Sequence, residues 1–178
     1  SQMKYQLKKG KNIWYSFKME LGEDLGAKYY DSELREVDPF RIKNPVDAAR
    51  VFFAYLKYLI IKYCTENNIS IDILYAVSIP ASFEANQRKD LLDALMANDM
   101  KVSKQALIDE PNAAFISYAV SRAAEDRPMF ISPDYNSKVL VFDFGGGTCD
   151  ISILEIGQSA NGFFSKNIAI SKFTKLGG

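Results

Sequence analysis

Apolar positions recur along the chain with two different periods. From Pro45 to Glu66 the period is helical: Val46, Ala49, Phe53, Leu56 and Ile60 form a stripe that Val51, Phe52, Leu59 and Ile61 widen. Asn44 supplies an N-cap, Pro45 a first helical position, and Asp47 a negative charge near the positive end. The pattern predicts one continuous helix over 45–66, ended by Asn67-Asn68, with its Phe and Tyr residues in the core. Ile71 to Ile79 is an apolar run that predicts a central strand, stopped by Pro80. A helix over 83–100 follows, with Leu91, Leu92, Leu95 and Met96 inward, then a strand over 102–107. That order favours parallel pairing through a right-handed crossover. Asp109-Glu110-Pro111 opens a further helix reaching about Ala124. Pro128, Pro133, Asp134 and Asn136 mark a connector, and three strands are predicted beyond it, over 138–143, 150–156 and about 164–173. Before Asn44 the pattern is weaker. Lys4 to Lys11 reads as an edge strand or solvated turn, Trp14 to Gly22 as a strand entering a short helix, and 26–41 as loops.

The densest chemistry sits between the first two of the last three strands. An apolar run ends in Asp143; Gly145, Gly146, Gly147 and Thr148 follow; Asp150 opens the next run. Glycines leave backbone N–H groups open to a visitor, and successive N–H groups make an anion-binding concavity. Thr148 can donate to a phosphate oxygen, and Asp143 and Asp150 can hold a hard cation or its waters. The same residues also suit an ordinary glycine-rich hairpin turn flanked by carboxylates.

Composition narrows the classes. The 178 residues, 48% hydrophobic, carry 22 basic and 22 acidic side chains, which gives no support to a broad nucleic-acid-binding surface. The absence of histidine excludes His-based triads and His zinc sites. Two cysteines, Cys64 and Cys149, suggest no disulfide framework and favour a reducing, cytoplasmic setting. No apolar span is long enough to cross a membrane.

The stretch from Asp143 to Ser152 resembles the second phosphate loop of the ATPase domain of the Hsp70 (DnaK-like) chaperone family. Three further stretches resemble that family in the right order: Val77 to Phe83 with Asn86-Gln87-Arg88, Leu107 to Ala114, and Leu176-Gly177-Gly178. The resemblance implies an α/β actin-like (ribonuclease H-like) ATPase fold, present in part. Residues 1–132 would be most of lobe I, and 133–178 the opening strands of lobe II. It implies ATP or ADP with Mg2+, phosphate donors at Gly145, Gly146, Gly147 and Thr148, and a metal held mainly through water by Asp143, Asp150 and Glu110. Lys18, less sharply matched, takes the place of a lysine that reaches the terminal phosphate. Lys18, Glu110, Asp143 and Thr148 are thus the expected catalytic residues, and Pro80 and Arg88 an allosteric relay.

No stretch from Ser1 to Ile71 matches the family's first phosphate hairpin, and the adenosine pocket is not visible. The sequence therefore reads as an internal fragment, a poor ATPase by itself. In the full-length protein, hydrolysis would control client polypeptide binding by an absent C-terminal domain, with a J-domain co-chaperone and a nucleotide-exchange factor as partners and neither nucleic acid nor membrane. The alternatives are a non-hydrolysing actin-fold nucleotide-binding regulator and a related actin-fold small-molecule kinase.

Overall fold

The structure is a computed structural model that describes residues 8–25, 41–103, 106–125, 137–145, 149–159 and 162–171. It divides into two compact units, Ser1–Tyr75 with Glu84–Ser103, and Ala76–Phe83 with Lys104–Gly178. The sequence boundary expected between 132 and 133 lies outside the described residues.

In the first unit, local caps set both helices. The Asn44 side chain accepts from the Asp47 N–H at 2.8 Å, and helix α1 runs unbroken over Pro45–Glu66 as expected. It ends where Asn68 adopts φ 55° and the Ile69 N–H donates back to the Cys64 carbonyl at 2.8 Å. Helix α2, Ala85–Met96, is shorter than the 83–100 of the sequence reading. The Glu84 N–H donates to Gln87 Oε1 at 2.9 Å and fixes its start. At its end Asp99 turns left-handed with φ 53°, and the Met100 N–H donates to the Leu95 carbonyl at 3.1 Å. That reversal buries Met100 against the helix and leaves Met96, expected inward, 68% exposed.

The two helices pack on each other. Asn98 ties them: its amide donates to the Arg50 and Ala94 carbonyls, both at 2.9 Å, and its carbonyl accepts from Lys57 Nζ at 2.7 Å. The inward face of α1 is narrower than predicted. Ala48, Ala49 and Cys64 are buried, whereas Phe52, Tyr55, Tyr58, Leu59 and Tyr63 are exposed. Small residues let neighbouring chain approach on one side only, so the wider apolar stripe cannot all be covered. Ile42 and Ala48 gather Trp14, Phe17, Leu25 and Val51 around them. Phe17–Glu20 forms one 3-10 turn.

In the second unit, strand β1 is Val77–Ile79 and pairs in parallel with β2, Leu107–Asp109. Both are shorter than or offset from the expected strands. β2 offers only three residues of ladder, so 71–76 stay outside any strand, and Leu74 is 96% exposed. An apolar run records that a segment can be buried, not that a partner backbone lies beside it. Helix α3, Glu110–Ala124, follows β2 without a linker. Strands β3 (Ser137–Phe144), β4 (Cys149–Ser159) and β5 (Gly162–Ile170) form an antiparallel sheet in that order. Helix α3 packs on β1, β2 and all three of these strands. The side of β3 away from α3 carries Leu140, Phe142 and Phe144, all exposed, with Phe142 and Phe144 stacked at 6.3 Å.

Gly22 makes a sharp test of the first unit. Its φ of +79° needs glycine, and an added Cβ would fall 2.7 Å from Gln87 Cγ and 2.8 Å from Asn86 Nδ2. Its N–H donates to Asp90 Oδ2 at 2.7 Å and its carbonyl accepts from Asn86 at 2.8 Å. Gly22→Ala is expected to lower stability by about 1–3 kcal/mol, from left-handed strain and displaced partners. Chemical denaturation measures it; an unchanged midpoint would contradict this reading of the turn.

Candidate functional site

Strand β4 changes character along one face. Asp150, Ser152, Leu154 and Ile156 stand at alternate positions, and all four are buried. Leu154 and Ile156 form a cluster with Phe115 of α3, joined by Ala119, Val139 and Val141. Ser152 and Asp150 continue the same face toward the start of β4 as a polar pair. The register places Asp143 directly opposite Asp150, and Phe144 opposite Cys149. Gly145 is half-buried, while Gly146, Gly147 and Thr148 lie outside the described residues.

The paired carboxylates differ in setting. Asp143 is exposed and Asp150 is 4% exposed. Ser82 Oγ donates to Asp150 Oδ1 at 2.5 Å, and Asp150 Oδ2 is buried without a hydrogen-bond partner among the described residues. Like charges directly opposed on one sheet face, roughly 5 Å apart, destabilise the pair unless something positive answers them. A spare buried oxygen and an exposed neighbour fit that need. Among the described residues no set of three or more Asp, Glu, His or Cys side chains gathers as a metal cage. Two carboxylates alone suit a small hard cation that keeps most of its waters, the habit of Mg2+.

The remaining expected residues fall in two groups. In the second unit, Ile79 pairs with Asp109, so buried Pro80 and half-buried Glu110 follow the adjacent C-terminal ends of β1 and β2. Ligands of α/β sheets bind beyond such strand ends. Glu110 is also the first residue of α3, where a carboxylate meets the positive end of the helix. In the first unit, Lys18 is exposed on the 3-10 turn and Arg88 is half-buried on α2. The motif Leu176-Gly177-Gly178 lies outside the described residues.

Sequence reasoning gave no role to two residues that organise this region. Ser82 reaches Asp150 across 68 positions. Asn167 of β5 donates to Asp109 Oδ2 at 2.7 Å across 58 positions. Asn167 sits beside an irregularity in the ladder, where the β4–β5 register shifts between Ile153 and Leu154. The only local sign was an amide in an apolar strand.

Comparison with known proteins gives consistent matches. The family model described as Hsp70 protein matches residues 44–178. A heat shock cognate HSP70 protein of Trypanosoma brucei brucei is 35% identical over 165 residues, covering 92% of this chain and 21% of that protein. A chaperone protein DnaK of Elusimicrobium minutum is 35% identical over 102 residues, 57% of this chain and 14% of its own length. The chaperone protein DnaK 3 of a Synechococcus strain is 39% identical over 83 residues, 47% of this chain and 11% of its own. The chain thus spans about a fifth or less of the length of these relatives.

The tie from β5 to the end of β2 is testable. Asn167→Ala removes the donor to Asp109 and is expected to cost about 1.5–3 kcal/mol, the range of hydrogen bonds to charged groups. A denaturation midpoint equal to that of the parent would show that the tie adds nothing.

Proposed function

This chain belongs to the Hsp70 protein family, and we propose that it forms part of an ATP-hydrolysing domain that drives a chaperone. The observation that carries the reading is the Asp143–Asp150 pair, opposed in register at the ends of β3 and β4 that flank Gly145 to Thr148 in the sequence. Backbone N–H groups of Gly145, Gly146 and Gly147 would face the β- and γ-phosphates, with the Thr148 hydroxyl beside them. Asp143 and Asp150, joined by Glu110, would hold Mg2+ mainly through its waters. Bound Mg2+ would offset phosphate charge and fix the phosphate geometry. Asp143 and Glu110 would orient the attacking water and accept its proton. The resemblance assigns Lys18 to the charge that develops on the transferred phosphoryl group.

In the full-length protein, hydrolysis would switch the affinity of a separate domain for client polypeptides, with Pro80 and Arg88 in the relay. A J-domain co-chaperone and a nucleotide-exchange factor would set the rate of the cycle. The proposed setting is cytoplasmic, the reading that a chain with only two cysteines, Cys64 and Cys149, favours.

Two measurements test the reading. In the full-length protein, Asp143→Asn should slow single-turnover ATP hydrolysis by roughly 10–1000-fold, or about 1.4–4 kcal/mol of transition-state stabilisation. Nucleotide affinity should fall less, because the turn's N–H groups are untouched, and the melting temperature should hold, because the side chain is exposed. Wild-type turnover in that variant would remove Asp143 from the mechanism. The 178-residue chain alone should release phosphate from Mg-ATP far more slowly than the full-length protein. Equal rates would show that the residues here suffice.

A further inference from the structure

Asp150 is the most enclosed carboxylate among the described residues, and its hydrogen bonding is lopsided. Oδ1 accepts from Ser82 at 2.5 Å; Oδ2 has no partner among the described residues. A carboxylate has room for about four such bonds. A single O–H to O⁻ bond of this length is of the strong, charge-assisted kind. It removes the freedom of the carboxylate to rotate about its last bond and exchange its oxygens. One oxygen is committed, and the other is the acceptor in reserve.

Ser82 is itself held firmly. It lies in the turn after β1, closed by the Phe83 N–H donating to the Pro80 carbonyl at 3.1 Å. Pro80, Ala81 and Phe83 are all buried, so the turn is anchored by its apolar residues and Ser82 is its polar member. The next residue on the Asp150 face, Ser152, is also buried with a partnerless Oγ. The polar part of the β4 face therefore has unused capacity, and among the described residues Ser82 supplies the side-chain bond that orients it.

We propose that Ser82 is a positioning residue for Asp150: its hydroxyl holds Asp150 Oδ1 and reserves Oδ2 for a metal-bound water or a phosphate ligand's donor. The kinetic consequence rests on the ATPase reading above, whereas the orienting tie does not. Ser82 makes no contact with the reacting atoms in this role. It acts through Asp150, so its loss should change the rate of the chemical step more than nucleotide affinity.

The test uses the full-length protein with Ser82→Ala, Ser82→Thr and Asp150→Asn. Ser82→Ala should lower the single-turnover rate about 5- to 50-fold and leave the ATP dissociation constant within about threefold. Ser82→Thr, which keeps the hydroxyl, should recover most of the rate. Adding Ser82→Ala to Asp150→Asn should change the rate little further, because both act on one group. Amide hydrogen exchange at Asp150–Ser152 should accelerate in Ser82→Ala and not in Ser82→Thr, while exchange at Leu154 and Ile156 stays at the parent value. A full single-turnover rate in Ser82→Ala, or equal losses in the Ala and Thr variants, would overturn the proposal. Should the wild-type protein fail to hydrolyse ATP, the ATPase reading falls, and the exchange pattern alone decides whether Ser82 orients Asp150.

Discussion

The second unit closes on Phe115. This residue takes α3 onto Leu154 and Ile156 of β4, and the helix that carries it also packs on β1 and β2. A parallel pair of three-residue strands has too little ladder to stand alone. Its stability comes from sharing a helix with an antiparallel sheet whose inner face is apolar. Burying the Leu154 and Ile156 side chains contributes roughly 1.5–3 kcal/mol each, more than a typical neutral hydrogen bond. The same packing fixes the direction in which β4 delivers its remaining side chains.

That direction explains why a polar pair can be buried so close to a core. On one face of β4, side chains follow each other every second residue, so a strand that packs at Leu154 and Ile156 must also point Ser152 and Asp150 inward. The apolar half holds the register, and the polar half inherits its orientation. Ser82 meets the first polar residue, and Asn167 meets Asp109 at the end of β2. These two side-chain bonds tie the antiparallel sheet to the turn after β1 and to the end of β2.

Much of this was legible in the sequence where the cause is local. Helix α1 has its Asn44 cap, its Pro45 and its reversal at Asn68 written within a few residues of each end. The three strands follow from apolar runs broken at turn residues, and the carboxylates from their place beside the glycines. Where the cause is distant, the reading failed. Period alone cannot say how wide a face its neighbours cover, so Phe52, Leu59 and Met96 were placed inward and stand exposed. An apolar run cannot name its partner strand, so 71–76 were given a ladder that they lack. Ser82 and Asn167 bond across tens of residues, and no spacing rule announces either pair.

The outward side of β3 has a practical bearing on handling this polypeptide. Leu140, Phe142 and the parallel-stacked Phe144 present a flat, greasy surface, and β3 borders no further strand among the described residues. A surface of that kind beside an open row of backbone donors and acceptors is a template for sheet-to-sheet aggregation. Preparations of these residues alone will therefore be governed by concentration and salt as colloids are. Loss of material to insoluble assemblies would then report on this exposed strand rather than on the function of the chain.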